Sequence, residues 1–167
     1  MTLLSLPGAG DTRPEQRLAE LGSGHAKLIA VPGNHDYWTD IDQVAAELGA
    51  AGLTLLDHSE RALFWVGESL RESAPDVPVR RVLGTVTDRD GVDRLLAESR
   101  PELVLHAAAY KHVALVEENP VAGAEANVLG TDTLMHACLE AGVDGFLLIS
   151  SDKAARPVSL MGATKRI

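Results

Sequence analysis

Short apolar runs alternate with longer amphipathic stretches along the chain. Leu28-Ile29-Ala30-Val31 has the uninterrupted apolar character of a buried strand. Asp40 to Leu48 follows with Ile41, Val44, Ala45 and Leu48 at helical spacing, Thr39 or Asp40 as its cap, and Gly49 and Gly52 bracketing its end. Leu53-Thr54-Leu55-Leu56 predicts a second strand ending at Asp57. Glu60 to Glu72 predicts a helix with Leu63, Val66 and Leu70 on one face. Pro75 and Pro78 punctuate the loop before a third strand, Val79 to Leu83, and Asp90 to Ser99 is a helix with Val92, Leu95 and Leu96 inward. Leu103 to Leu105 is a fourth strand, Val121 to Ala141 a long helix, and Phe146 to Ile149 a fifth strand. Near the start, Leu3 to Leu6 is a candidate extra strand and Pro14 to Leu21 a short helix.

Strand and helix alternate five times, the pattern of a parallel sheet covered on both faces by helices. Strands that are apolar throughout, rather than at every second position, fit burial on both sides. The expectation is therefore a three-layer, Rossmann-like α/β fold. Its mainly parallel, five-stranded sheet has the order 3-2-1-4-5, counted from the strand at Leu28. Residues 1–26 read as an N-terminal extension and 27–167 as one domain, with a junction in the sequence near 49–60.

Composition narrows the partners. Fifteen Lys and Arg against 24 Asp and Glu give a formal net charge of -9, and the basic clusters are short, Arg80-Arg81 and Lys165-Arg166. Nucleic acid and anionic membrane surfaces are poor partners for such a chain. No stretch approaches the ~20 apolar residues of a membrane span. The single cysteine, Cys138, excludes an internal disulfide and fits a reducing, cytoplasmic setting.

In open parallel sheets ligands sit beyond the carboxyl ends of the strands. The polar residues there are Gly33-Asn34-His35-Asp36, Asp57-His58, Gly84 to Asp88, His106 to His112, and Ser150 to Lys153. The small run Ala107-Ala108-Ala109 would let a dinucleotide lie close to the backbone, and it also suits plain helix–sheet packing.

Several of these segments recur together. Arg100 to Val113 is followed by Glu117-Glu118-Asn119-Pro120, then by Asn127-Val128-Leu129-Gly130-Thr131, Ile149 to Ala154, and Met161-Gly162-Ala163-Thr164-Lys165-Arg166. From about Leu53 to Ile167 the chain resembles the nucleotide-sugar 4,6-dehydratases of polysaccharide biosynthesis, a branch of the extended short-chain dehydrogenase/reductases, with the UDP-N-acetylglucosamine enzymes the most similar. The resemblance implies NADP or NAD as cofactor, a UDP-sugar as substrate, and room for a homo-oligomer.

The same resemblance assigns roles. Lys153 matches the base for the sugar C5 proton and Asp152 the acid for the departing 6-hydroxyl. Lys165 matches the lysine of the Tyr-x-x-x-Lys pair, which binds the cofactor ribose. Met161 stands in the place of that pair's tyrosine, as in one branch of the family, and a thioether carries no proton. Asp57, Asp88, Ala107, Ala108, Ala109, Asn127 and Ser150 fall on cofactor-lining positions, and Lys111 and His112 on the sugar side. Thr85 replaces the first aspartate of a Gly-Asp-x-x-Asp run, of which Asp88 is kept.

The first strand is not followed by the Gly-x-Gly-x-x-Gly turn that lets a pyrophosphate approach a helix start. Pro32-Gly33-Asn34-His35-Asp36-Tyr37-Trp38 stands there instead. Residues from about 2 to 56 resemble part of a calcineurin-like metallophosphoesterase, whose Gly-Asn-His-Asp block is matched at Gly33 to Asp36. That alternative implies a divalent metal pair, with Asp11 and Asn34 as ligands and His35 assisting the phosphate. The expectation is thus a truncated or hybrid NAD(P)-dependent dehydratase-like protein, with a metallophosphoesterase fragment or a non-catalytic Rossmann-like domain as alternatives.

Overall fold

The computed structural model describes residues 2–4, 28–31 and 52–167, with side chains from residue 52 onward. The strands are β1 (Thr2–Leu4), β2 (Leu28–Val31), β3 (Leu53–Asp57), β4 (Val79–Leu83), β5 (Leu103–His106) and β6 (Gly145–Leu148). The helices are α1 (Glu60–Ser73), α2 (Arg89–Ser99), α3 (Val113–Glu118), α4 (Pro120–Ala124), α5 (Gly130–Ala141) and α6 (Leu160–Arg166). A π-helical turn, Glu125–Leu129, joins α4 to α5, and a 3₁₀ turn, Asp152–Ala154, follows β6.

The sheet runs β1-β6-β5-β2-β3-β4. Strands β2 to β6 pair in parallel, and β1 adds an antiparallel strand on β6, with Leu3 opposite Leu147. The sheet is therefore six-stranded rather than five-stranded, because the apolar start of the chain finds the free edge of β6. The helices expected over 14–21 and 40–48, and the Gly-Asn-His-Asp block with Asp11, lie outside the described residues.

Alternation along the strands builds two cores. Leu53 and Leu55 of β3, Leu103 and Leu105 of β5 and Leu147 of β6 share one core with Leu63, Val66 and Leu70 of α1. Leu56, Val104 and Phe146 point the other way, onto Val92, Leu95 and Leu96 of α2 and Leu134, Ala137 and Cys138 of α5. A strand buried on both faces must be apolar at every position, which is why these strands show no alternation in sequence. Burial pushes the Cys138 thiol up to about 12, so this cysteine is an inert core side chain.

Caps set the helix ends. The Ser59 hydroxyl accepts from the Ala62 amide at the start of α1, and the Asp88 carboxylate accepts from the Gly91 amide at the start of α2. Gly142 ends α5 in the left-handed conformation (φ 71°), with the Val143 amide donating back to the Cys138 carbonyl. Arg89 reaches both Asp93 and Glu140, tying α2 to α5. Among the described residues no helix is long and apolar enough to cross a membrane.

Candidate functional site

Parallel pairing brings the carboxyl ends of β6, β5, β2 and β3 into one row. Three inter-strand steps separate the outer two, roughly 14 Å. Asp57, the last residue of β3, is only 8% exposed. Its Oδ1 accepts from the Ser59 amide at 2.7 Å, and His58 Nδ1 lies 3.5 Å from the same oxygen. Burial raises the Asp57 pKa above the ordinary carboxylate value, against the pull of the Ser59 amide and His58.

Beyond β5 the chain turns through Ala107, Ala108 and Ala109, all half-buried. Tyr110, Lys111 and His112 then line a cleft of about 330 Å³ against Leu115, Asn119 and Ala122. The two residues assigned to the sugar side thus share one concavity next to the alanine run.

Beyond β6, Ser150 and the turn at Asp152–Ala154 meet α6. Lys165 is half-buried, and its Nζ donates to the Ile149 carbonyl at 3.3 Å. Burial lowers the Lys165 pKa. The Ser150 hydroxyl faces the Lys165 carbonyl at 3.5 Å. Lys153 Nζ and Asp152 Oδ1 are 3.3 Å apart, with both side chains standing in solvent. Met161, by contrast, is 3% exposed and packs inward. Gly162 is where α6 meets the 3₁₀ turn: a Cβ there would lie 2.6 Å from the Lys153 carbonyl oxygen.

Two residues assigned to the cofactor lining, Asp88 and Asn127, also bond within the protein. Asp88 caps α2, and Thr85 hydrogen-bonds Thr87 through their hydroxyls at 3.0 Å. Asn127 is 3% exposed and its side chain is committed to protein groups. Its Oδ1 accepts from the Tyr110 amide at 2.7 Å, and its Nδ2 donates to the Tyr110 carbonyl at 3.0 Å and to Thr164 Oγ1 at 2.9 Å.

Sequence reasoning gives no role to His106, Thr131, Thr164 or Gly162. His106 ends β5 fully buried, with Nε2 2.9 Å from Thr131 Oγ1 and its ring 6.0 Å from that of Phe146. Among the described residues its Nδ1 is buried without a hydrogen-bond partner. Burial first, and then the charge of Lys165, hold the imidazole neutral with a pKa of about 3. The signal for these residues was their place inside the quoted motifs, since no spacing rule singles them out. Among the described residues no cluster of three or more His, Cys, Asp or Glu could hold a metal.

A family model described as polysaccharide biosynthesis protein matches residues 40–167. An uncharacterised membrane protein of Methanocaldococcus jannaschii is 34% identical over 138 residues, covering 83% of this chain and 40% of that protein. The inverting UDP-N-acetylglucosamine 4,6-dehydratase of Campylobacter jejuni is 42% identical over 88 residues, 52% of this chain and 25% of that enzyme. A solved structure of the Thermus thermophilus UDP-glucose 4-epimerase in complex with NAD is 26% identical with a TM-score of 0.60, covering 83% of this chain and 47% of that one. The chain spans 40% and 25% of the lengths of these two curated relatives.

Proposed function

The chain belongs to the polysaccharide biosynthesis protein family, and on that premise we propose that it is the nucleotide-binding unit of a nucleotide-sugar 4,6-dehydratase that takes NAD(P) and a UDP-sugar. The observation that carries the proposal is the row of strand tips, where Asp57 ends β3, the alanine run follows β5 and the Asp152–Lys153 pair follows β6, with Lys165 of α6 reaching the Ile149 carbonyl beside them.

The described residues at the strand tips suit the ribose ends of a dinucleotide. Asp57 is a buried carboxylate at the end of the second parallel strand, where an acid accepts a ribose hydroxyl. The same charge would repel a 2′-phosphate, so the reading favours NAD over NADP. Ala107 to Ala109 offer no side chain beyond Cβ, which lets a flat ligand rest on the backbone. Lys165 would present an ammonium beside the Ile149 carbonyl, facing the ribose end. When bound, NAD(P) would supply the hydride acceptor for sugar oxidation.

Lys153 then acts as the base for the C5 proton and Asp152 as the acid for the 6-hydroxyl. Their 3.3 Å contact suits an elimination across two adjacent carbons of one hexose, where base and acid must sit side by side. Lys111 and His112 would hold the sugar nucleotide in the cleft they share. UDP-N-acetylglucosamine is the substrate favoured by the likeness to the Campylobacter enzyme. The acidic net charge and single buried cysteine support a cytoplasmic location.

Calorimetric titration with NAD+ and NADP+ tests the reading. NAD+ is expected to bind the more tightly, and Asp57→Asn to narrow the difference by about tenfold, the worth of one charge-assisted hydrogen bond. Lys153→Ala is expected to lower dehydratase turnover of UDP-N-acetylglucosamine at least ~100-fold. Absence of binding by either dinucleotide at millimolar concentration would remove the proposal.

A further inference from the structure

The side chains of the alanine run after β5 give it no anchor, since three methyl groups cannot fix a backbone by hydrogen bonding. Both of its ends are nevertheless tied to one short segment of the neighbouring helix. At the first end, the His106 ring meets Thr131 Oγ1 at 2.9 Å. At the other, Tyr110 gives its amide to Asn127 Oδ1 and its carbonyl accepts from Asn127 Nδ2, at 2.7 and 3.0 Å.

The two anchors are themselves joined. Thr131 Oγ1 donates to the Asn127 carbonyl at 2.8 Å. A hydroxyl has one proton, so with that proton used its oxygen accepts from His106 Nε2–H. The direction of every bond in the chain is thereby settled. Asn127 lies within the π-helical turn, in which the Gly130 amide reaches back five residues to the Glu125 carbonyl. Extra residues of this kind in a helix are a common device for aiming groups at a site. His106 is fully buried, Asn127 nearly so and Thr131 half-buried, so water has limited access to these bonds.

We propose that Asn127 and Thr131 form a clamp that holds Ala107 to Ala109 in the conformation that receives a ligand, with Thr131 a positioning residue acting through His106 and the π-helical turn. The proposal rests on the nucleotide-binding reading of the strand tips and assigns the clamp's purpose within it. Thr131 contributes two hydrogen bonds through one oxygen. Serine preserves both, and valine, of the same shape, preserves neither.

The test compares wild type, Thr131→Val and Thr131→Ser by amide hydrogen exchange without ligand and by calorimetric titration with NAD+. Thr131→Val is expected to speed exchange across residues 107–110 about tenfold, with Val104 in the strand core unchanged, and to weaken NAD+ binding about tenfold. Thr131→Ser should stay within about twofold of wild type on both measures. Unchanged exchange at 107–110 in the valine variant overturns the clamp. So does faster exchange with undiminished NAD+ affinity, or a serine variant as impaired as the valine one. If wild type binds no NAD+, the nucleotide reading fails on its own, while the exchange comparison still decides whether Thr131 holds the run.

Discussion

His106 carries a consequence that reaches the stability of the whole fold. Its pKa is about 3 in the folded protein against 6.5 for an ordinary histidine, because a charged imidazole is not solvated at the tip of β5 and Lys165 repels it. The unfolded chain therefore binds the extra proton between these two values, and stability falls as pH drops from about 6.5 toward 3. The slope due to this one residue is up to roughly 1.4 kcal/mol per pH unit. Asp57, with its raised pKa, works in the opposite sense near the acid end, so the useful quantity is the difference between wild type and His106→Gln. Urea unfolding between pH 4 and 7 should show a distinctly shallower loss in the variant. Parallel curves would mean that His106 is protonated in the native state or never buried. The sequence does not disclose this residue, because a histidine after three apolar residues reads equally as the polar end of a strand. Asp57, in contrast, could be placed beforehand by the rule that strand tips carry the chemistry, and Lys165 by the family resemblance alone.

At the scale of elements, the helices and strands were legible because their apolar faces are set by burial alone. What periodicity could not reveal is the break in the long helix. Residues 121–141 keep an apolar stripe throughout, yet a π-helical turn separates α4 from α5, and within it the buried Asn127 bonds Tyr110 and Thr164. Asp88 was equally ambiguous, since an acid before a helix serves as a cap and as a ligand group with the same geometry. Two glycines separate packing from backbone strain as sources of element stability. Gly162 has an ordinary helical backbone but no room, its added Cβ meeting the Lys153 carbonyl at 2.6 Å. Gly142 has open space but a φ of +71°. Gly162→Ala should cost about 1–3 kcal/mol and shift the Asp152–Ala154 turn. Gly142→Ala should cost only about 1 kcal/mol and leave that turn in place. Denaturation midpoints with amide chemical shifts at 152–154 check both, and equal shifts from the two variants would deny the close contact at Gly162.

For the molecule as a whole, the sheet's edges among the described residues are β1 and β4, and the second of them is guarded by charge. Arg80 and Arg81 point to opposite faces of β4. Arg80 pairs with Glu98 of α2 at 2.6 Å, and Arg81 approaches Glu68 of α1 at 3.7 Å. The Arg81 stem lies over Gly67, where a Cβ would come within 2.6 Å of its Cδ. Exposed ion pairs of this kind add little to folding, and Arg80→Ala alone should change stability by less than about 1 kcal/mol. Their larger effect is on association. With valine at both positions β4 would be a five-residue apolar strand whose outer hydrogen-bonding groups have no strand partner among the described residues, the kind of edge that recruits another chain. Replacing Arg80 and Arg81 together with valine should therefore leave the circular dichroism spectrum intact while producing concentration-dependent association in sedimentation velocity. A double variant that sediments as wild type does at every concentration would show that twist or a neighbouring segment, and not charge, keeps this edge from pairing.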